Sequence, residues 1–255
     1  MGLRLRTLTL LAAAAAAGCG GHTKVSVRPV TVDGVRAFVV ASPGRHAAGV
    51  VMVHGAGGDR SELLPRARLL ARRGIVVLLP TQPSTASPPP RPTSVHELLV
   101  ETQGVQNADV RSAERAGRFL AARYGVTRLG YLGWSAGAKT GAILAARDPR
   151  FRALALLSAG AQAVSAFVAA APPASRGEVR RFLTSVDPIT AIAHGRPGTI
   201  LLEDGRRDEI VPRAALENVV RAAPPQTTVR WYDAGHALDD RAWSDAFDWL
   251  GARLR

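Results

Sequence analysis

The stretch RLGYLGWSAGAKTGAIL, residues 128–144, places a serine between two glycines, after an apolar run and before a helix-like one. Its pentapeptide GWSAG fits the pattern G-x-S-x-G, which carries a nucleophilic serine when a strand precedes it and a helix follows it. A turn this tight brings the backbone two residues before the serine against the backbone two residues after it. Gly133 and Gly137 are therefore needed where side chains would clash. The stretch predicts that Ser135 is a nucleophile on a strained turn, the elbow; the alternative is an ordinary turn residue.

Eight short runs of β-forming residues are spread along the chain. They cover residues 25–32, 35–41, 49–55, 75–80, 128–134, 153–159, 199–204 and 228–234. From the third run onward they are almost continuously apolar and alternate with helix-like segments, which is typical of parallel strands buried on both faces. Asp33 and Gly34 join the first two runs, a signal for an antiparallel hairpin. The sequence predicts an α/β fold: one eight-stranded, mostly parallel sheet with helices on both faces and an N-terminal antiparallel hairpin.

Helix-like segments and two interruptions complete this pattern. The predicted helices cover residues 59–73, 107–123, 136–147, 212–222 and 240–254. Residues 81–94, TQPSTASPPPRPTS, are too rich in proline for either element and are predicted to form a loop. Residues 161–186 are interpreted as a small helical cap, broken at Pro172 and Pro173. A chain of 255 residues can bury one full core, so residues 25–255 are predicted to form a single domain.

The first residues, MGLRLRTLTLLAAAAAAGCGG, carry the pattern of an export signal. Arg4 and Arg6 precede an apolar core at residues 8–17, which is shorter than the roughly 20 apolar residues that span a bilayer. A retained transmembrane helix is therefore the weaker interpretation. The ending AAGC is similar to a bacterial lipobox, in which the cysteine is lipidated and becomes the mature N-terminus. We predict a signal peptide at residues 1–18 and an extracytoplasmic protein anchored to the membrane through Cys19. The alternative is an ordinary signal peptidase site beside an incidental cysteine.

Composition excludes several classes of function. Cys19 is the only cysteine, so the mature domain is predicted to have no disulfide and no thiol chemistry. The chain has 33 basic and 20 acidic residues, a net charge of +13, but its arginines are scattered along alanine-rich, helix-like segments. This distribution predicts solvated helix faces and no nucleic-acid partner. The sequence has no histidine, cysteine and carboxylate cluster with metal-ligand spacing and no early G-x-G-x-x-G, so no metal and no cofactor are predicted.

Four motifs follow the ends of predicted strands in order: VMVHGAGGDR after the third, GWSAG after the fifth, EDGRRDEIVP after the seventh and DAGH after the eighth. Together they resemble the α/β-hydrolase superfamily, in particular its dienelactone-hydrolase-like and carboxylesterase-like branch, over about residues 47–250. A serine hydroxyl is a weak nucleophile at neutral pH, so it needs a base and an acid that orients the base. The order serine, acid, histidine in this superfamily implies a catalytic triad of Ser135, Asp208 and His236.

The rest of the site is inferred around this triad. Glu203 and Asp204 remain alternatives for the acid, since they lie in the same motif. An oxyanion hole is expected from the amide of Ala136, which directly follows the nucleophile, and from a second amide in the HGAGG loop. By the resemblance the second donor is Ala56, or Gly57 if the loop adopts the glycine-rich lipase form.

Other polar residues near these motifs are given structural roles. His54 opens the HGAGG loop and is interpreted as a structural hydrogen-bonding residue, not as a base. Ser158 in LLSAG has no glycine two residues before it and is predicted to be a strand-end residue. Trp134 is expected either to line the pocket or to support it by packing. The remaining histidines lack motif context and are predicted to lie on the surface or in loops: His22, His46, His96 and His194.

The resemblance implies an exported serine hydrolase that cleaves small-molecule carboxylic esters through an acyl-enzyme. Three alternatives stay open: a peptidase or amidase with the same triad, an inactive surface protein of the same fold, and a basic protein that binds anionic surfaces. Ser135 argues against dienelactone as substrate, because true dienelactone hydrolases use a cysteine. The segment TQPSTASPPPRP replaces the aspartate and glycines of many relatives, so the rim of the substrate pocket is undefined. The sequence does not define the oligomeric state.

Overall fold

The computed structural model describes residues 24–86 and 94–255, and its centre is one eight-stranded sheet. The strands are β1 (Ser26–Val32), β2 (Val35–Ala41), β3 (Ala48–Val53), β4 (Val76–Pro80), β5 (Arg128–Trp134), β6 (Phe151–Leu157), β7 (Ile200–Gly205) and β8 (Thr228–Tyr232). Their order across the sheet is β1-β2-β4-β3-β5-β6-β7-β8. The predicted α/β fold class is confirmed. The predicted signal peptide and Cys19 lie outside the described residues.

Strand direction divides the sheet into a hairpin and a parallel part. Strands β3 to β8 are parallel, whereas β2 is antiparallel to both β1 and β4. The turn between β1 and β2 has positive φ at Asp33 (46°) and Gly34 (82°), as the tight hairpin turn signalled by this dipeptide requires. Because β1 runs in the same direction as β4, the described chain enters the sheet at the edge where the parallel strands begin.

Helices cover both faces of the sheet. They are α1 (Leu64–Arg72), α2 (Pro83–Ala86), α3 (Val95–Tyr124), α4 (Ala136–Arg147), α5 (Val164–Ala170), α6 (Arg176–Thr184), α7 (Pro188–Ile192), α8 (Arg213–Ala222) and α9 (Asp240–Arg253). One apolar cluster joins α1 and α9 to one face, and another joins α3, α4, α7 and α8 to the other. Strands β4 and β7 are buried at every position, which explains why they are apolar throughout and do not alternate.

The described helices differ from the predicted ones mainly at α3. This helix begins at Val95, where the side chain of Ser94 accepts a hydrogen bond from the Glu97 amide, and not at residue 107. In its first turns the buried apolar side chain is Leu99, which packs with Val168 of α5 and Val179 of α6. The sequence pattern of one helix does not reveal this pairing. The predicted loop at 81–94 contains the short helix α2, and its residues 87–93 lie outside the described residues.

Helices α5 and α6 occupy the segment interpreted as a cap and form a small apolar cluster of their own. Leu99 of α3 packs with Val168 of α5 and Val179 of α6, apart from the two main clusters. Pro173 begins a short 3-10 turn between α5 and α6. At 30 residues, α3 is about 45 Å long, whereas a strand of five to seven residues spans about 20 Å. The helix therefore overhangs the sheet, and its overhang holds α5 and α6.

No helix in the described ranges is both long enough and apolar enough to cross a membrane.

Candidate functional site

The elbow lies between β5 and α4 in the strained conformation that its sequence predicts. Ser135 has φ 55° and ψ −114°, a positive φ that non-glycine residues rarely adopt. Its N–H donates to the Leu157 carbonyl at the end of the neighbouring strand (2.8 Å). A Cβ atom at Gly133 would lie 2.3 Å from the Gly137 carbonyl oxygen, and one at Gly137 would lie 2.5 Å from the Val53 carbonyl oxygen. Side chains at either position would collide with backbone, so both glycines are required.

Loops after β7 and β8 bring an acid and a histidine to this serine. His236 Nε2 lies 2.9 Å from Ser135 Oγ, and His236 Nδ1 lies 2.8 Å from Asp208 Oδ2. The second carboxylate oxygen of Asp208 accepts hydrogen bonds from the amides of Ile210 (2.9 Å) and Val211 (2.8 Å). The side chains of Asp208 and His236 are 1% and 10% exposed. These contacts form the chain of hydrogen bonds that a serine–histidine–acid triad needs.

The backbone of the histidine is fixed as firmly as its ring. Its carbonyl oxygen accepts hydrogen bonds from Trp134 Nε1 (3.0 Å) and Ser158 Oγ (2.9 Å), and its N–H donates to Glu209 Oε2 (3.3 Å). The Trp134 ring also packs beside the His236 ring, with 5.5 Å between centroids. Trp134 therefore supports the site by packing and by hydrogen bonding.

Ser158 is more than the strand-end residue that its sequence predicts. It is fully buried, has φ 53° and lies at the end of β6, beside the end of β5. Its contact with His236 was missed because no local pattern marks it. The only available signal is that parallel strand ends lie at one edge of a sheet.

The loop after β3 lies against the elbow. A Cβ atom at Gly55 would approach Ser135 Cβ and the Trp134 ring to 3.3 Å. Ala56 and Gly57 follow in a turn that closes with a hydrogen bond from the Gly58 amide to the Gly55 carbonyl (3.3 Å). Among the described residues, the amides of Ala56 and Ala136 have no backbone acceptor, so both donors are available to a ligand at Ser135.

The other histidines stand apart from this site. His54 is fully buried and its Nδ1 lies 2.8 Å from the Gly55 carbonyl, which agrees with a structural role. His46 lies in the loop before β3, but its ring is only 6% exposed and lies between the carbonyls of Ser42 and Gly74. Ser42 and Gly74 form no recognisable sequence motif with His46, so the sequence does not indicate that this ring is buried. His96 and His194 are exposed, and His22 lies outside the described residues.

The alternative acids do not contact His236. Burial, opposed by a backbone hydrogen bond from Ala159 and reinforced by repulsion from Asp208, raises the pKa of Asp204 to about 7. Glu203, the residue before Asp204 in β7, is fully buried on the opposite face of the sheet, where its Oε1 accepts from Tyr232 (3.1 Å) and Arg230 (3.2 Å). The geometry therefore favours Asp208 as the partner of the histidine.

The buried Glu203 makes folding sensitive to pH. Burial outweighs its bonds to Tyr232 and Arg230 and, with Asp245 nearby, raises its pKa to about 7. Between about pH 4 and 7, the folded protein keeps a proton on Glu203 that the unfolded chain has released. The free energy of unfolding therefore falls as pH rises through this range. We expect the unfolding free energy of the wild type to fall by about 3 kcal/mol relative to that of Glu203→Gln across this window. Urea unfolding of both proteins at several pH values measures this difference, and a constant difference would contradict the buried proton.

A cavity of about 390 Å³ lies between α3, α4, α5 and the loop after β6, and its lining includes Lys139, one helical turn after Ser135. Its walls are mostly apolar, and Lys139 is the only cation among the described residues that line it. The Lys139 amide donates to the Ser135 carbonyl (3.2 Å), which fixes its position relative to the nucleophile. Burial lowers the pKa of the Lys139 ammonium. The cavity is large enough for part of a small organic substrate.

In the described ranges, no group of histidine, cysteine and carboxylate side chains is arranged to hold a metal ion. The candidate site is therefore the triad, the two free amides and the apolar cavity beside them.

Comparison with known proteins identifies the family to which the chain belongs. Residues 35–248 match the sequence model of the dienelactone hydrolase family. No curated protein matches the chain significantly in sequence. Solved structures resemble it at low sequence identity.

TT1662 from Thermus thermophilus has a TM-score of 0.65 and 22% identity, with 91% of this chain and 99% of that chain covered. A cold-adapted esterase from an Arctic intertidal metagenomic library has a TM-score of 0.66 and 19% identity, with 90% and 93% covered. Acetyl xylan esterase 1 from Thermoanaerobacterium sp. JW/SL YS485 has a TM-score of 0.68 and 14% identity, with 92% and 89% covered. These likenesses establish the shared fold.

Proposed function

The chain belongs to the dienelactone hydrolase family, within the α/β-hydrolase fold, and is a hydrolase acting on ester bonds; from this premise we propose that it is an exported serine hydrolase that cleaves carboxylic esters through an acyl-enzyme on Ser135. One observation carries the proposal: the unbroken hydrogen-bond chain from Ser135 through His236 to Asp208. Esterase neighbours of the same fold agree with it. The proposed substrate is a small-molecule ester, and the groups that act on it are side chains and backbone amides of this chain.

Acylation begins at the serine hydroxyl. His236 Nε2 accepts the hydroxyl proton while Ser135 Oγ attacks the ester carbonyl carbon. The resulting imidazolium is stabilised by the Asp208 carboxylate on its other nitrogen. The tetrahedral intermediate collapses when His236 returns the proton to the leaving alkoxide, which departs as the alcohol. Water then attacks the acyl-enzyme by the same proton transfers and releases the acid.

The developing oxyanion needs donors that are already oriented. The amide of Ala136 starts α4, whose N-terminal end favours negative charge. The amide of Ala56 supplies the second donor, with Gly57 as the neighbouring alternative. Both Ala56 and Ala136 have side chains of one carbon, so the carbonyl can approach their backbone closely.

The cavity under α5 and α6 accommodates one part of the ester. Its lining includes Lys139, one helical turn after Ser135, and its walls are mostly apolar, which supports an apolar acyl or alcohol group. We propose that α5 and α6, within residues 161–186, act as the cap of this pocket. Export and lipidation of Cys19 rest on the N-terminal sequence pattern. A mature N-terminus other than residue 19 in mass spectrometry would contradict the lipid anchor.

A substrate panel tests the proposed reaction. The purified protein is assayed with p-nitrophenyl acetate, butyrate and octanoate and with the corresponding anilides, and is labelled with a fluorophosphonate probe. We expect turnover of the esters and labelling at Ser135. Preference for the anilides would favour the peptidase or amidase alternative. Absence of both turnover and labelling would favour an inactive surface protein of the same fold.

Two donors to the His236 carbonyl are expected to act as positioning residues. Trp134→Phe removes the indole N–H, and Ser158→Ala removes the buried hydroxyl. Each variant loses one hydrogen bond worth about 1 kcal/mol, so we expect kcat to fall about fivefold while KM stays within about threefold. Steady-state kinetics separate the two constants. A change in KM alone, or a loss explained by a lower Tm, would contradict positioning.

A further inference from the structure

The positive charge of the protein is concentrated at one edge of the sheet, which we call the amino edge. It comprises the segments that precede β3 to β8 and the end of α9: residues 45–47, 72–75, 123–128, 147–152, 195–199, 221–227 and 252–255. These segments contain twelve arginines and a single carboxylate, Asp148. The arginines are Arg45, Arg72, Arg73, Arg123, Arg128, Arg147, Arg150, Arg152, Arg196, Arg221, Arg253 and Arg255. All are exposed except the half-buried Arg128.

Helix capping explains only part of this concentration. Helices α1, α3, α4, α8 and α9 each end with an arginine in the last turn, where a cation complements the helix dipole. The arginines at 45, 128, 152, 196 and 255 are outside helices or beyond a helix end and need another explanation. Along the sequence the basic residues are scattered, and this pattern predicts that they lie on solvated helix faces. In the fold they lie together at one edge, because the helices end at the edge of the sheet where the parallel strands begin.

Most of these arginines lack a carboxylate partner. Arg73 pairs with Asp248, Arg150 with Asp148, and Arg221 with Glu217. Within the described part of the chain the other nine form no ion pair. An uncompensated cluster of this size raises the local potential and attracts polyanions or anionic surfaces.

The amino edge also contains grooves that an anionic group can enter. One groove of about 700 Å³ is lined by Arg150, Arg152 and Arg196 together with Thr127 and Thr199. A second, of about 360 Å³, is lined by Arg73, Arg128 and Arg255 and by one carboxylate, Asp248, which pairs with Arg73. Guanidinium groups bind phosphate oxygens through paired hydrogen bonds. The hydroxyls of Thr127 and Thr199 donate to the carbonyls of Ala47 and Arg196, so the arginines are the donors that these grooves offer. The chemistry of these grooves fits phosphate.

The N-terminal segment joins the domain at this same edge. Ser26 pairs with Ala41 at the start of β1, and Val40 pairs with Val77 near the start of β4. Lys24 lines a groove with His46 and Tyr124, which belong to the amino edge. Lys24, the first residue that the structure describes, therefore lies at the arginine-rich edge, on the opposite edge of the sheet from the elbow.

We propose that the amino edge docks the protein onto the surface of a bilayer rich in anionic phospholipid, with the Ser135 site facing away from it. Each basic residue near such a surface contributes to binding, and the contributions of several residues multiply. The orientation keeps the mouth of the catalytic site open to molecules in solution. The docking proposal does not depend on the ester hydrolase activity, because binding requires only the folded domain.

A bilayer fits these observations better than a nucleic acid. Single-stranded binding surfaces interleave basic residues with aromatic rings on which bases stack. The described amino edge offers Tyr124 and the buried Phe151 as its only six-membered aromatic rings. Entry of the N-terminal segment at the same edge adds a reason for a membrane and none for a nucleic acid.

Charge-neutralising variants test the docking edge. Full-length protein carrying Cys19→Ser, which cannot be lipidated there, is partitioned into phosphatidylcholine vesicles and into 3:1 phosphatidylcholine–phosphatidylglycerol vesicles. The ratio of the two partition coefficients cancels the contribution of the apolar N-terminal segment. The edge triple variant, Arg123→Gln with Arg152→Gln and Arg255→Gln, removes three unpaired charges, so we expect this ratio to fall about 100-fold.

A matched triple variant provides the control. Arg180→Gln, Arg206→Gln and Arg241→Gln remove the same charge from exposed positions outside the amino edge, and the ratio should stay within about threefold of wild type. If the ratio of partition coefficients fell equally in both triple variants, the preference for anionic vesicles would depend only on net charge. That result would overturn the proposal that the amino edge docks the protein. No preference of wild type for anionic vesicles, or tighter binding to a duplex DNA oligonucleotide than to them, would also overturn it.

Orientation is measured independently in the Cys19→Ser background, which has no other cysteine. A polarity-sensitive dye is attached at Arg152→Cys or at Arg206→Cys. We expect anionic vesicles to shift the emission of the dye at position 152 to the blue and to leave that at 206 unchanged. A larger shift at position 206 would mean that the protein binds through the opposite edge.

Discussion

Ser135→Ala is expected to lower kcat for a p-nitrophenyl ester by about a millionfold, the scale on which a comparable triad fails when its serine is removed. The alanine retains the elbow backbone and leaves the His236–Asp208 contact intact, so only the nucleophile is lost. The residual rate comes from the amides of Ala56 and Ala136 and from substrate binding. The measurement is single-turnover hydrolysis at high enzyme concentration, which can follow so slow a reaction.

A second buried serine supplies the control for this variant. Ser158→Ala also removes a hydroxyl from a strand-end residue with positive φ (53°), but that hydroxyl donates to the His236 carbonyl. Ser158→Ala should retain about a fifth of the activity. If kcat fell by comparable factors in the two variants, this result would contradict the assignment of Ser135 as the nucleophile.

The second large effect is expected for Asp208→Asn. Asparagine can still accept hydrogen bonds from the amides of Ile210 and Val211 through its one oxygen, but its amide cannot receive the Nδ1–H of His236 as a carboxylate does. The ring then loses its orientation and the imidazolium loses its stabilising charge, so kcat should fall by about 10⁴-fold with little change in KM. Steady-state kinetics at a fixed pH, together with the Tm of the variant, measure this effect.

Asp204→Asn is the matched control for the acid. The residue is four positions earlier in the same motif and is buried, but it makes no hydrogen bond to His236 among the described residues. Its replacement should change kcat by less than about tenfold. A larger loss for Asp204→Asn than for Asp208→Asn would reassign the acid to the end of β7.

The sheet and the elbow could be predicted because their signals are local. A strand buried on both faces is apolar throughout, and the collision that excludes a side chain at Gly133 is with the Gly137 carbonyl, only four positions away. The collision at Gly137 is instead with the Val53 carbonyl of β3, a long-range contact. The acid and the histidine were predicted from the resemblance to the α/β-hydrolase superfamily, whose motifs and order assign these roles to Asp208 and His236. Both follow parallel strands, which end together at one edge of the sheet.

Contacts between distant segments were not predictable in this way. The start of α3 depends on α5 and α6, which meet it through Leu99, Val168 and Val179. His46 is buried between two carbonyls that no motif marks, and Ser158 is tied to His236 across 78 positions. The concentration of arginines at the amino edge likewise exists only after folding, because consecutive members are separated by whole strands and helices.

The overhang of α3 has a consequence for insertions and deletions in this lineage. Each residue added to a helix advances it by about 1.5 Å and rotates the following face by about 100°. A single insertion between Leu99 and residue 106 would turn Leu99 away from α5 and α6 and release them from the helix. Seven added residues, close to two full turns, would restore that face while raising both helices by about 10 Å. Chain-length variation in the overhang is therefore constrained to near-whole turns, and the depth of the space above the sheet is expected to change among descendants of this chain in discrete steps.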